Sequence, residues 1–183
     1  MNAQSPRTQT QHRASCGPSR PQSAIVVGID GSPASSAALR WAVELARPSC
    51  SSLCLIHAWQ LSAAGSAAVA AGAVEYRAAM MADARARATR WVMDTLGGTA
   101  AAVRWVLEVH EGAPGPVLVS RSEGARLLVV GTPDHTGLRR AFGGSVSHYA
   151  VAHSTVPVVA VPPAEPETAE GGHGGRPERA VAR

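Results

Sequence analysis

Residues 126–162 read RLLVVGTPDHTGLRRAFGGSVSHYAVAHSTVPVVAVP, and this stretch restricts the possible folds more than any other. An apolar run at 127–130 stops at Gly131, and a loop carrying glycines follows as far as Gly143, Gly144 and Ser145. Val146, Tyr149, Ala150 and His153 then recur at helical spacing, and Thr155-Val156-Pro157 leads into a second apolar run at 158–161. Strand, loop, helix and strand in that order predict a βαβ unit. The loop is rich in residues that let backbone N–H groups face an anion at a helix N-terminus. It is therefore a candidate phosphate cradle.

The upstream sequence repeats the alternation. Ala24, Ile25, Val26, Val27, Gly28 and Ile29 form a short run suited to a strand buried on both faces. Asp30-Gly31 ends it; Ser32 is a natural N-cap and Pro33 a natural first helical residue. Ala37, Ala38, Trp41, Leu45 and Ala46 then follow helical spacing until Arg47-Pro48, where the helix is expected to stop. A second strand is expected at 53–59, a loop at 61–73, and a long helix at 74–96 closed by Gly97-Gly98. The apolar face of that helix is read as Val74, Met81, Ala84, Ala88, Trp91, Val92 and Thr95. A third strand at 103–109 alternates enough to sit nearer a sheet edge, and Pro114-Gly115-Pro116 opens a short helix to Ser122. Strands alternating with helices predict a single α/β domain, a doubly wound parallel sheet of five strands. In such sheets ligands bind beyond the strands' carboxyl ends, where the winding reverses. If the first and fourth strands are neighbours, the loops after them border one crevice of mononucleotide size.

Composition narrows the chemistry. All 17 basic residues are arginine, which excludes a lysine-bearing phosphate loop and any lysine Schiff base. Three arginines and no acid lie in 1–22, whereas 23–162 is nearly balanced. The basic balance thus resides mostly in the arm, and nucleic-acid binding is not expected. The arm at 1–22 and the Pro/Glu/Gly-rich tail at 163–183 are expected to be disordered and to flank a domain at 23–162. Cys16, Cys50 and Cys54 do not form a disulfide framework, and no partner set makes Cys50 and Cys54 a metal pair. With no N-terminal apolar region and no apolar run of ~18 residues, a cytoplasmic protein is expected. His57 is read as a hydrogen-bonded residue at a strand end, and no nucleophile, base and acid form a recognisable set.

Over residues 23–162 the sequence resembles the universal stress protein family. The resemblance is carried by Ile25-Val26-Val27-Gly28-Ile29-Asp30-Gly31-Ser32, by Leu127-Leu128-Val129-Val130-Gly131, by Gly144-Ser145-Val146-Ser147 and by Val156-Pro157-Val158-Val159. It implies a Rossmann-like fold of the adenine nucleotide alpha hydrolase-like type, with strand order 3-2-1-4-5. The ATP-binding branch has the pattern G-x2-G-x9-G-S/T. Gly131, Gly144 and Ser145 match it, whereas Asp134 stands at its second glycine. By that resemblance Asp30 lies at the adenosine end and Ala58 where adenine is read through the main chain. Gly131 lets the backbone approach ribose and phosphate, and Gly144 and Ser145 meet the phosphates. The resemblance also implies a stress-response role with ATP as regulatory ligand, and a homodimer formed through 158–161.

Asp134 is the departure that matters. A carboxylate ~5 Å from a phosphate charge costs about 3 kcal/mol at an effective dielectric near 20, and under about 1 kcal/mol in water. Pro133 also removes one N–H from the loop. Arg139 and Arg140 offer compensating charge, or Asp134 holds a Mg²⁺ that bridges to phosphate. The expectation is a nucleotide-binding protein rather than a fast enzyme. The alternatives are a dimeric interaction module that has lost the nucleotide and, less favoured for want of a base or a lysine, a slow ATP-hydrolysing enzyme.

Overall fold

The computed structural model describes residues 24–132 and 146–163. The expected N-terminal arm lies outside them, as does the C-terminal tail beyond Pro163. The strands are β1 (Ala24–Gly28), β2 (Ser52–Trp59), β3 (Trp105–Glu111), β4 (Leu127–Gly131) and β5 (Val158–Val161). Between them run α1 (Pro33–Ser49), α2 (Ala63–Ala70), α3 (Val74–Leu96), α4 (Pro114–Ser122) and α5 (Val146–His153). All five strands are parallel and form one sheet in the order β3-β2-β1-β4-β5. That is the expected doubly wound α/β architecture, with β3 at one edge and β5 at the other.

The central strand is the most apolar. Every residue of β1 is buried, because helices cover both faces of the sheet at that point. Ile25, Val27 and Ile29 pack under α1 and α3 with Leu39, Ala42, Val43, Ala88 and Val92. Val26 faces the other way, packing with Cys54, Ile56, Leu118, Leu128 and Ala150 under α4 and α5. Gly115 marks how closely α4 and α5 approach: a Cβ there would lie 2.7 Å from the Tyr149 ring.

Four local expectations are corrected. Helix α1 does not stop at Pro48 but ends after Ser49, where Cys50 takes a left-handed φ of 48°. Proline breaks a helix by removing an N–H and crowding the preceding turn. Here the last turn is satisfied by other donors: the Ser49 hydroxyl to Leu45 O at 2.8 Å and Ser51 N–H to Ala46 O at 3.1 Å. The segment read as a loop contains α2, capped by Ser62, whose hydroxyl accepts from Gly65 N–H at 3.1 Å. Gly65 is its only buried residue, so no apolar period could announce it. Met81 is 44% exposed, because the buried face of α3 is confined to Ala84, Ala88, Val92 and Leu96. Finally, β3 begins at Trp105 rather than 103, since a 3₁₀ turn at Gly97–Ala101 takes up part of the chain.

The chain moves outward from β1 to β2 and β3, returns across β1 to β4, and continues to β5. The winding therefore reverses between β1 and β4, which pair from Ile25–Leu127 to Val27–Val129. The loops after these two strands leave the same end of the sheet side by side.

Candidate functional site

The loop after β1 is held by short local hydrogen bonds. Ser32 N–H donates to Asp30 Oδ1 at 2.9 Å, the Asx turn that this residue type favours. The Ser32 hydroxyl caps α1 by accepting from Ser35 N–H at 3.1 Å. Ser35, buried, donates its own hydroxyl to Ser32 O at 3.0 Å and meets Asp30 N–H at 3.5 Å. Burial pushes the Asp30 carboxyl pKa up, but hydrogen bonds from the Ser32 side chain and backbone, with Ser35 and its own N–H, outweigh that. The net direction is downward from the ordinary value. Asp30 is thus a fixed, ionised acceptor at neutral pH. Such a group suits hydroxyl or amino donors of a ligand and repels its phosphates.

Ala58 reaches the same place from β2. Ile29 N–H donates to Ile56 O at 2.9 Å, and Gly112 N–H donates to Trp59 O at 2.9 Å. By the alternation of a parallel ladder, Ala58 turns its N–H and C=O to the same side as Ile56, toward β1. The last β1–β2 pair is Gly28–Ile56, so these groups of Ala58 stand just past the end of β1. That is a position for reading a flat heterocycle through the main chain. His57, the next residue back, is tied to Ile29 O through Nδ1 at 3.0 Å, as expected of a strand-end histidine.

Gly131, at the end of β4, has a structural role visible without any ligand. A Cβ on it would stand 2.6 Å from Ala34 C and 2.8 Å from Ser35 N, both backbone atoms of α1's first turn. Its lack of a side chain seats that turn against β4 and so places Asp30 and Gly131 beside one cleft.

Asp30, Ala58 and Gly131 all line this cleft, with an apolar floor from Ile56, Leu118 and Val130. The apolar floor and few polar groups fit a small-molecule site. Ser35, Pro114 and Val146 also border it and were not read as site residues. Ser35 had a sequence signal, standing three residues after the Ser32 cap, where a side chain reaches back toward the helix start. The expected phosphate-side residues Asp134, Arg139, Arg140, Gly144 and Ser145 lie outside the described residues, as does the Mg²⁺ role assigned to Asp134. Among the described residues no group of His, Cys, Asp and Glu could hold a metal ion. No helix among them is long and apolar enough to cross a membrane.

No curated protein matches the sequence significantly. Solved structures do. The universal stress protein UspA from Lactobacillus plantarum is 20% identical, covering 77% of this chain and 98% of that one, with a TM-score of 0.53. A universal stress protein in complex with cAMP is 23% identical over 77% of this chain and 97% of that one, with a TM-score of 0.50. A universal stress protein from Archaeoglobus fulgidus is 16% identical over 78% of this chain and 46% of that one, with a TM-score of 0.57. At these identities the likeness speaks for the fold, and the fold is the one built above. The sequence profile of the universal stress protein family matches residues 23–162, which take in every strand and helix described and the whole cleft. The chain belongs to the universal stress protein family.

Proposed function

We propose that the cleft binds an adenine nucleotide, ATP first among them, as a regulatory ligand in a cytoplasmic stress response. The observation that carries this reading is the convergence of Asp30, Ala58 and Gly131, from three different strand ends, on one cleft at the reversal of winding. Asp30 would take the ribose hydroxyls and Ala58's main chain the base edge. Gly144 and Ser145 would meet the phosphates, with Arg139 and Arg140 or an Asp134-bound Mg²⁺ offsetting their charge. A fold relative is known in complex with cAMP, which accords with this ligand class. The nucleotide would act through conformation or through a homodimer formed along Val158–Val161, with 1–22 and 163–183 as appendages to the binding domain.

Thermal unfolding with millimolar ATP, with and without Mg²⁺, tests this on the wild type, Asp30→Ala and Asp134→Gly. Ligand at a hundred times its Kd stabilises by about 2.7 kcal/mol, a rise in midpoint of roughly 5–10 °C for a chain of this size. The wild type should rise with Mg-ATP, Asp30→Ala should rise much less, and Asp134→Gly should depend less on Mg²⁺. Wild-type protein that is purified free of nucleotide and whose midpoint ignores Mg-ATP would refute the reading and favour the interaction module.

A further inference from the structure

A second cavity, used by nothing above, opens at the same end of the sheet. It measures about 240 Å³, and Ile29, Ala88 and Trp91 wall it together with Gly31. Its polar groups are Asp30, His57 and Arg87. Ile29, Ala88 and Trp91 belong to the core layer under α1 and α3, whereas Ile56, Leu118 and Val130 of the cleft floor belong to the layer under α4 and α5. The two cavities therefore lie on opposite faces of the sheet, and Ile29 and Asp30 border both. Trp91 reaches the loop after β1: a Cβ on Gly31 would stand 4.0 Å from its Cδ1 and Nε1.

The polar groups are already partly engaged. His57 Nδ1 donates to Ile29 O at 3.0 Å, because a carbonyl can only accept. Arg87 is mostly exposed and pairs with Asp83 at 2.6 Å, so the two charges cancel. Asp30 spends Oδ1 on Ser32 N–H, and a carboxylate keeps further acceptor positions. The cavity thus offers apolar walls, an indole ring and one negative acceptor, which suits a flat apolar ring carrying an N–H and repels an anion. An apolar cavity of about 150 Å³ is enough to hold benzene. The larger volume here has room for two fused rings. We infer that this cavity is a second ligand site, separate from the cleft, for an uncharged planar heteroaromatic ring that packs on Trp91 and donates its N–H to Asp30. The inference stands whether or not the cleft binds a nucleotide.

A ¹H–¹⁵N NMR titration of the wild type with indole tests this, with benzofuran, the same shape without the N–H, as the comparison. Millimolar indole should give saturable shifts at the Gly31 and Ala88 amides and at the Trp91 indole N–H. Benzofuran should bind roughly tenfold more weakly, the scale of one hydrogen bond to a charged group. Trp91→Leu should weaken indole binding about three- to tenfold, the range of an aromatic pair. Trp91 is partly buried, and the indole-to-benzofuran comparison on the wild type covers the case in which this variant folds poorly. Shifts confined to Ala58, Leu118 and Val130 would put the ring in the cleft and overturn the inference. The absence of any saturable shift, or equal affinity for indole and benzofuran, would overturn it as well. Each of these results leaves the nucleotide reading to its own test with Mg-ATP.

Discussion

Gly131→Ala is the most direct probe of how the site is assembled. The new Cβ would sit 2.6 Å from Ala34 C, 2.8 Å from Ala34 O and 2.8 Å from Ser35 N. Non-bonded carbons settle at about 3.5–4.0 Å, so a displacement on the order of 1 Å is required. Neither side can yield cheaply. The obstructing atoms belong to the first turn of α1, which is braced by the Ser32 cap and the Ser35 hydroxyl. The methyl itself would be rooted in a strand paired on both sides, to β1 and to β5. Overpacking a core costs about 1–3 kcal/mol where side chains can adjust. With backbone against backbone the upper end applies, and about 3 kcal/mol lowers the melting midpoint by roughly 6–12 °C for a chain of this size. Gly98→Ala is the matched control, because a Cβ there meets nothing within 4 Å and its φ is not positive. Urea and thermal unfolding of both variants against wild type give the comparison. A Gly131→Ala midpoint equal to that of Gly98→Ala would refute the close approach of α1 to β4. The result also guards the functional test, since nucleotide binding lost in Gly131→Ala would report a displaced α1 turn before any lost ligand contact.

Other outcomes follow from the same geometry. Because the folded pKa of Asp30 lies below its unfolded value, its contribution to stability is fully present above about pH 4 and is lost as pH falls through the folded value. The stability gap between wild type and Asp30→Asn, read from urea midpoints, should be constant from pH 7 to pH 5 and close below about pH 4; a gap that widens in acid would contradict this. Ser32→Ala removes the acceptor for Ser35 N–H and should cost about 1 kcal/mol, while Ser32→Gly should cost less. On β5, the carbonyls of Pro157 and Val161 accept from Leu128 and Thr132 N–H groups, so ladder alternation turns the backbone of Val158 and Ala160 outward. Ala160→Pro should then abolish the proposed dimer without unfolding the domain, as judged by sedimentation; a dimer that survives would place the interface elsewhere.

Much of the architecture is written in local pattern. Among the described residues, apolar runs of strand length, the Ser32-Pro33 start, the Gly97 stop and the alternation of periods identify all five strands and four of the five α-helices. Each is a local decision made by burial or by capping. Helix α2 escaped because it buries almost nothing, and the end of α1 because the Ser49 hydroxyl and Ser51 N–H serve the Leu45 and Ala46 carbonyls of a turn that runs on past Pro48. Asp30, Ala58 and Gly131 were legible as strand-end residues, with the family resemblance supplying their roles. Their meeting in one cleft was expected only through the strand order that the resemblance implies, since it depends on β1 pairing with both β2 and β4, and strand neighbours distant in sequence leave no local trace. Glu108 and His110 show this most plainly. In sequence they are two polar positions in an edge strand. Only the register of β3 on β2 sets them beside Ala58, and only the tertiary structure brings His110 Nε2 to 2.9 Å from Glu108 Oε2. Local chemistry determined what each segment would become. Long-range pairing decided which segments share a site, because that choice is made between surfaces and not along the chain.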